Sequence, residues 1–127
     1  MRKFGLIGFP LGHSFSKKYF TEKFTREEIQ GCQFELYPLA RIQEFPQLFA
    51  SEPTLEGLSV TIPYKEQVIS YLDGLDPACA QIGAVNCIRI RDGKKVGFNT
   101  DYLGFKQSLQ SWLGSEIPNA LVLGTGG

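Results

Sequence analysis

The sequence has few of the residues that metal sites and disulfide frameworks require. It contains three cysteines, an odd number without a C-x-x-C spacing, and a single histidine. A fully paired disulfide framework is therefore excluded, and too few soft ligands remain for a zinc site. We predict no metal site, and we interpret Cys32, Cys79 and Cys87 as buried, reduced thiols, which favours a cytoplasmic location.

A surplus of one charge is also missing. Thirteen Lys and Arg residues balance 13 Asp and Glu residues, so the formal net charge is zero and no basic excess indicates binding to nucleic acid or to an anionic membrane. No apolar run approaches the roughly 20 residues that span a bilayer. The apolar stretch at residues 4–12 is interrupted by three glycines and a proline, so we reject a signal peptide. The oligomeric state is left open.

The composition is that of an ordinary globular domain, with 43% hydrophobic and 20% charged residues in a chain of 127. Short apolar runs alternate with helical patterns, and Asp92-Gly93 predicts a type I′ turn inside a β-hairpin at residues 84–98. This alternation predicts an α/β three-layer sandwich, whose mainly parallel sheet is flanked by helices and includes one antiparallel hairpin strand. The other predicted strands are residues 3–8, 32–39, 59–62 and 117–123, and the predicted helices are residues 17–24, 42–49, 65–72, 76–81 and 101–113. The first helix has an apolar stripe of Tyr19, Phe20 and Phe24. The last helix can be capped by Asn99-Thr100, and its apolar face comprises Leu103, Phe105, Leu109, Trp112 and Leu113.

Residues 59–65, Ser-Val-Thr-Ile-Pro-Tyr-Lys, place two hydroxyls and one ammonium where a predicted strand passes to a predicted helix. Pro63 ends the strand, because it has no N–H to donate, and it suits the first turn of the following helix. Open α/β sheets bind their ligands at such junctions, at the carboxyl ends of the strands. Taken alone, the stretch also fits an ordinary turn with a solvated Lys65.

Other loops place polar side chains at predicted strand ends. Ser14 and Ser16 follow the first strand, Asn86 begins the hairpin, and Asp101 begins the last helix. Each has an ordinary explanation, since Ser14 or Ser16 can cap a helix and Asn86 can satisfy a local turn. Asp101 can complement the helix dipole, which is worth about 0.3–1 kcal/mol. We interpret His13 as a turn residue that bonds to nearby backbone.

Together, four of these stretches resemble the motifs of one family. Residues 8–16, 59–65, 83–86 and 99–105 are similar, in order, to the motifs of the shikimate dehydrogenase family, and the resemblance covers essentially the whole chain. Four separated motifs in the expected order are far more specific than any one of them. The resemblance implies an enzyme that reduces 3-dehydroshikimate to shikimate with NADPH, built from an amino-terminal substrate domain and a carboxy-terminal Rossmann domain.

The resemblance also implies which residues are catalytic. Lys65 and Asp101 match the lysine and the aspartate that flank the reacting carbon in that family. Hydride transfer to a ketone requires a proton for the developing alkoxide, and a positioned acid accelerates such a step by about 10²–10⁴-fold. A lysine ammonium can donate that proton and stabilise the oxyanion, while a nearby carboxylate holds the ammonium in place.

The substrate-binding residues follow from the same motifs. Ser14 and Ser16 match the serines that bind the substrate carboxylate, and Thr61 and Asn86 match residues that bind ring hydroxyls. Ser59 stands where family members commonly carry asparagine, so its contact with a hydroxyl is expected to be shorter or bridged by water. Short uncharged side chains suit a hydroxylated carboxylate, because sites that pair its polar groups reject analogues that lack one.

Two further positions depart from the family pattern and leave the substrate open. Lys17 replaces the usual proline and adds a cation near the expected substrate carboxylate, where we interpret it as solvated. Cys87 stands where threonine is common. Neither touches the Lys65–Asp101 pair, which quinate-accepting relatives share. A quinate/shikimate dehydrogenase paralogue, or a non-catalytic binding module for a hydroxylated cyclic carboxylate, therefore remains an alternative.

Residues 124–127, Gly-Thr-Gly-Gly, look like the start of a dinucleotide fingerprint. The resemblance implies that Gly124, Gly126 and Gly127 bind NADP, although the helix that would hold the phosphates is not in the sequence. We interpret residues 1–114 as the substrate domain and residues 115–127 as the start of a missing NADP-binding Rossmann domain. The fragment alone is expected to bind shikimate weakly or not at all and to be inactive.

Overall fold

The structure, a computed structural model, describes residues 1–12 and 14–124. Four α-helices, six strands and two short 3₁₀ helices alternate along these residues, and His13, Gly126 and Gly127 lie outside the described part. The strands are β1 (Arg2–Gly8), β2 (Cys32–Pro38), β3 (Leu55–Val60), β4 (Gly74–Leu75), β5 (Cys87–Arg91) and β6 (Lys94–Phe98). The helices are α1 (Ser16–Arg26), α2 (Phe45–Ser51), α3 (Pro77–Ile82) and α4 (Asp101–Leu113), and the 3₁₀ helices are Ile42–Glu44 and Gln67–Tyr71.

The six strands form one sheet in the order β2-β1-β3-β5-β6-β4. β1 pairs in parallel with β2 and β3, and β4 pairs in parallel with β6. β5 runs antiparallel to both of its neighbours, β3 and β6. The predicted fold, a mainly parallel sheet with one antiparallel hairpin strand, is therefore confirmed.

The hairpin β5–β6 has the turn that the sequence predicts. Asp92 and Gly93 both adopt positive φ, at 51° and 74°. A type I′ turn requires this conformation at both central positions, and its twist matches that of the flanking strands. The turn sets the register that pairs Ile88 with Gly97 and buries Ile88 on the core side of the sheet.

Each face of the sheet packs against helices, which gives the predicted three layers. On one face Ile7, Leu58 and Val60 join the main core, which also contains Phe45 of α2 and Val68. On the other face α1 lays its aromatic side chains over β1 and β2, and the Phe20 and Phe34 rings stack with centroids 4.5 Å apart. The apolar stripe of α1 that the sequence predicts is thus used in packing.

The predicted helix at residues 65–72 is wrong. The chain turns after Pro63 and forms only the 3₁₀ helix Gln67–Tyr71. The reason is tertiary: Tyr64 is buried, and its hydroxyl donates a hydrogen bond of 2.5 Å to the Leu39 carbonyl oxygen. A side chain drawn into the core at this position overrides the local preference for a longer helix.

The carboxy-terminal part of the described chain is not packed. α4 has the predicted bounds, but none of its residues is buried, so its predicted apolar face lies at the surface. The predicted strand at residues 117–123 is wrong, because this segment pairs with none of the described strands and Ile117 is 99% exposed. An apolar stretch forms a stable strand only when a neighbour satisfies its backbone groups. The apolar face of α4 comprises Leu103, Phe105, Leu109, Trp112 and Leu113.

Candidate functional site

An ion pair between Lys65 and Asp101 lies at one edge of the sheet. The Lys65 Nζ donates to Asp101 Oδ2 at 2.7 Å, and the two side chains are 23% and 53% exposed. Lys65 follows the carboxyl end of β3, and Asp101 begins α4 just after the carboxyl end of β6. An exposed ion pair contributes only about 0–1 kcal/mol to stability, so this pair adds little to the stability of the fold. Open α/β sheets in general bind ligands at the carboxyl ends of their strands, which is where the pair lies.

Asn86 completes a small polar cluster with this pair. Its Nδ2 donates to Thr100 Oγ1 at 2.8 Å and to Asp101 Oδ1 at 2.9 Å, and its Oδ1 accepts from the Thr100 backbone N–H at 2.8 Å. Both carboxylate oxygens of Asp101 therefore accept hydrogen bonds, one from Lys65 and one from Asn86. The two hydrogen bonds fix the orientation of the carboxylate.

The direction of β5 explains why Asn86 reaches the pair. Because β5 runs antiparallel to β3 and β6, its amino end lies at the edge where those strands end. The backbone confirms this position: Val60 N–H donates to the Asn86 carbonyl oxygen at 2.8 Å, and Asn86 N–H donates to the Phe98 carbonyl oxygen at 3.1 Å. Asn86 is thus fixed between the ends of both strands.

Ser14 precedes α1 and Ser16 is its first residue, after the carboxyl end of β1. The Ser16 backbone N–H donates to Ser14 Oγ at 3.3 Å, which is a local bond at the start of α1. Both side chains are partly buried, and neither forms a hydrogen bond with Lys65 or Asp101 in the part of the chain that the structure describes. The structure therefore places these serines at the same sheet edge as the pair without joining them to it.

Ser59 lies within β3, and Thr61 follows its carboxyl end. The Thr61 backbone N–H bonds to the Ile7 carbonyl oxygen at 3.0 Å, and its methyl group lies so close to Gly8 that a Cβ there would approach it to 2.4 Å. Ser59 lines an apolar groove of about 340 Å³ on the sheet face that carries α1, together with Phe24. Among residues 1–12 and 14–124, neither Ser59 nor Thr61 forms a side-chain hydrogen bond with Lys65, Asp101 or Asn86.

Lys17 is exposed to solvent, with 47% of its side chain accessible, and it also forms an ion pair. Its Nζ contacts Glu35 Oε2 at 2.5 Å, and this hydrogen bond lowers the pKa of the Glu35 carboxyl. The lysine that replaces the usual proline therefore ties the start of α1 to β2. Its charge is thus paired with a carboxylate outside the polar cluster.

The predicted thiols are unpaired, with Cys79 buried and Cys32 and Cys87 half-buried. Burial raises the pKa of the Cys79 and Cys87 thiols, which disfavours the reactive thiolate. Cys79 Sγ donates to the Ala84 carbonyl oxygen at 3.2 Å, in the loop that precedes Asn86. Cys79 therefore has a structural contact near the site.

Two residues of the cluster were missed as site residues. Asn99 and Thr100 are predicted by the sequence only as helix caps, yet Thr100 accepts a hydrogen bond from Asn86, and Asn99 is the one buried polar residue among those described, at 7% exposed. The sequence signal for Asn99 is its position just before a helix, in the Asn-Thr-Asp motif. That position indicates that Asn99 caps the helix, but it does not indicate that its side chain is buried.

Gly124 is the part of the predicted glycine turn that the structure describes, and it has a φ of +98° with no atom within 4 Å of the place where a Cβ would lie. No three His, Cys, Asp or Glu side chains among residues 1–12 and 14–124 are grouped to hold a metal ion. Over the same residues, no helix has the length and apolar character to cross a membrane.

The fold and the cluster define an α/β domain whose polar site lies at the carboxyl edge of a mainly parallel sheet. A family model for the shikimate dehydrogenase substrate binding domain matches residues 6–88 of this chain. The chain therefore belongs to the shikimate dehydrogenase family through its substrate-binding domain, and the resemblance seen in its four motifs is confirmed.

Relatives and solved structures agree with this assignment. The chain is similar to shikimate dehydrogenase (NADP(+)) of Clostridium perfringens, with 40% identity over 132 residues that cover 100% of this chain and 47% of the relative. It is 35% identical to the same-named protein of Staphylococcus epidermidis, over 98% of this chain and 47% of the relative. It also resembles shikimate 5-dehydrogenase of Thermus thermophilus in complex with shikimate, with a TM-score of 0.81 and 28% identity over 93% of this chain and 46% of that one. The chain thus spans about half the length of these relatives.

Proposed function

We propose that this chain is the substrate-binding half of an NADP-dependent shikimate dehydrogenase, which interconverts 3-dehydroshikimate and shikimate. The observation that carries the proposal is the Lys65–Asp101 pair, held at 2.7 Å in a chain of this family. Residues 1–114 would form the substrate domain and residues 115–127 the start of an NADP-binding domain. The exposed face of α4 supports this division, because a large apolar surface indicates a partner.

In this proposal Lys65 is the proton donor. An ammonium has three N–H donors, and Asp101 accepts one of them, which leaves two for a substrate oxygen. The redox chemistry is that of the nucleotide, which residues outside the described part would hold. When the ketone carbon is reduced, its oxygen becomes an alkoxide and takes a proton from Lys65. Asp101 holds the ammonium in place and balances its charge.

The substrate would lie along the sheet edge beside the pair. Ser14 and Ser16, next to the amino end of the 11-residue helix α1, would bind its carboxylate, because helix amino ends favour anions. Thr61 and Asn86 would bind ring hydroxyls, and Ser59 would contact a further hydroxyl through water. Asn86 would have to share its amide with a ligand, since both its polar atoms already form hydrogen bonds.

The remaining parts of the proposal concern the nucleotide and the compartment. Gly124, Gly126 and Gly127 would begin the turn that approaches the pyrophosphate of NADP, which the names of the curated relatives support. A cytoplasmic location is supported by the three unpaired cysteines, because reducing compartments keep thiols free.

The test is a pair of lysine variants in the complete gene product, assayed by shikimate oxidation with NADP⁺. We expect Lys65→Ala to lower kcat by about 10²–10⁴-fold with a smaller change in KM, because the general acid is lost. Lys18→Ala is the matched control, since the Lys18 side chain is 74% exposed and lies on the outer surface of α1. Its kcat and KM should equal those of the wild type.

Three other outcomes separate the alternatives. A rise in KM with unchanged kcat in Lys65→Ala would assign Lys65 to substrate binding alone. Faster turnover of quinate than of shikimate would favour the quinate/shikimate paralogue. Binding of shikimate by calorimetry without turnover of either acid would favour the non-catalytic binding module.

A further inference from the structure

We propose that Asn99 is a positioning residue that sets the geometry of the Lys65–Asp101 pair through one peptide unit, the one that joins Ala84 to Val85. Asn99 holds the first turn of α4, which carries Asp101, against this peptide, and the same peptide holds the backbone of Lys65. The inference rests on the proposed function of the pair and adds a residue to the motif-derived site.

The carboxamide of Asn99 uses both of its polar atoms. Its Nδ2 donates to the Ala84 carbonyl oxygen at 3.0 Å, and its Oδ1 accepts from the backbone N–H groups of Asp101 at 3.0 Å and Tyr102 at 3.3 Å. With the side chain buried, loss of one partner would leave a polar group unsatisfied in the core, which is costly. Asn99 therefore links the first turn of α4 to the loop before β5.

The other side of the same peptide binds Lys65. The Val85 backbone N–H donates to the Lys65 carbonyl oxygen at 2.7 Å. The Ala84 carbonyl and the Val85 N–H belong to one planar unit, in which the two groups of a trans peptide point in opposite directions. The backbone of Lys65 and the side chain of Asn99 are thus hydrogen-bonded to opposite sides of one rigid, planar peptide unit. Cys79 Sγ adds a second donor to the Ala84 oxygen at 3.2 Å.

The chemistry of the contact requires an amide at position 99. A serine could accept from the helix N–H groups but has too short a side chain to donate to the Ala84 oxygen as well. An aspartate would cap the helix but would set a carboxylate against that carbonyl oxygen. Asn99 is also buried behind α4, unlike the half-exposed Asn86, so we assign it to positioning rather than to substrate contact.

The experiment compares Asn99→Ser with Asp76→Ser in the complete gene product. Both substitutions leave a serine at a helix N-terminus, but Asp76 caps α3, by accepting from the Ala78 N–H at 3.2 Å, and its side chain forms no hydrogen bond with Lys65, Asp101 or Asn86 among the described residues. We expect Asn99→Ser to lower kcat about tenfold to a hundredfold with a smaller change in KM, because a displacement of about 1 Å at the reacting groups costs up to that much. Its Tm should fall below that of Asp76→Ser, because the buried Ala84 carbonyl oxygen loses a donor, while the kcat of Asp76→Ser should equal that of the wild type.

Hydrogen–deuterium exchange supplies a readout that does not depend on activity. In Asn99→Ser, peptides that cover residues 84–86 and 99–105 should exchange faster, while peptides of β1 should exchange as in the wild type. A wild-type kcat in Asn99→Ser, or a loss of kcat accompanied by faster exchange throughout the sheet, would make Asn99 a purely structural residue and overturn the inference. If the wild type does not oxidise shikimate, the proposed function fails, and the exchange pattern still decides whether Asn99 ties α4 to the loop.

Discussion

The sheet unit and α4 contain similar apolar patterns but have opposite environments. In the sheet unit, β1 to β6 with α1 to α3, Phe45 and Ile7 are completely buried. In α4, which follows directly, no residue is buried, and Trp112 is 83% exposed. Apolar residues at helical spacing therefore identify a helix face that needs a partner. They do not show that the partner lies in the same stretch of chain.

The two regions are joined by polar contacts rather than by packing. Hydrogen bonds from Asn86 and Asn99 reach only the residues at the start of α4, and the Asp101 carboxylate lies at the positive end of the helix dipole. A helix of 13 residues is marginal in water without such support. The order of α4 therefore depends on the same contacts that build the candidate site.

The largest expected effect tests whether burial separates the two regions in solution. Phe45→Ala should lower the free energy of unfolding by about 3–5 kcal/mol, because Phe45 is fully buried against Phe49 and Tyr71 at ring distances of 4.9 and 5.8 Å. Trp112→Ala should change it by less than about 0.5 kcal/mol. Urea unfolding measures both, and an equal loss in the two variants would mean that α4 is packed as well as the core.

A smaller loss of stability is expected when a hydroxyl inside the sheet unit is removed, and its size depends on whether that hydroxyl has a hydrogen-bond partner. Tyr64→Phe should cost about 1–3 kcal/mol, because the buried Leu39 carbonyl oxygen loses its donor. Tyr37→Phe is the matched control: the Tyr37 hydroxyl oxygen is buried and finds no partner among residues 1–12 and 14–124, so its removal should be neutral or stabilising. Thermal unfolding of the pair would contradict this account if Tyr37→Phe were the less stable variant.

The smallest effect concerns charge in the sheet unit. The Lys95 backbone N–H donates to Asp73 Oδ2 at 2.7 Å and holds the pKa of the Asp73 carboxyl below its usual range. A carboxyl whose folded pKa is lowered stabilises the fold above its unfolded pKa, about 3.9, and loses this contribution as the pH falls through the lower folded value.

The free energy of unfolding should therefore fall below about pH 4, and Asp73→Asn should flatten that part of the curve. Asp92→Asn serves as the control, since the Asp92 side chain is 92% exposed and its contact with Arg91 is 3.8 Å long. Urea titrations at a series of pH values measure the slope. A slope unchanged in Asp73→Asn but reduced in Asp92→Asn would contradict the assignment.

Local chemistry in the sequence predicts much of the sheet unit. Asp92-Gly93 predicts the hairpin because two adjacent positive φ values need such residues, and the Asn99-Thr100 pair predicts the start of α4. Prediction from the sequence is wrong where a contact between residues far apart in the chain decides the local structure. Tyr64 is an example, because its hydroxyl donates a hydrogen bond to a carbonyl 25 positions earlier. The prediction is wrong again at residues 117–123, where the pattern of a buried strand finds no neighbour among the described strands.

The candidate site divides in the same way. The approach of Lys65 to Asp101 is predictable, because both follow strands that end at one edge of a parallel sheet. The bridging peptide of Ala84 and Val85 is not, because its place depends on the antiparallel direction of β5. A pattern of side chains cannot report hydrogen bonds that the backbone makes.

Among the described residues, the hydrogen bonds that join α4 to the sheet unit all lie at its first turn, and this has a mechanical consequence. The 13 residues of the helix span about 20 Å, so a swing of about 10° around its first turn would move its far end by about 3.4 Å. The carboxylate of Asp101 lies in this first turn, so such a rotation would hardly move it. A segment joined to the carboxyl end of α4 can therefore change its orientation while the distance between Lys65 and Asp101 stays the same.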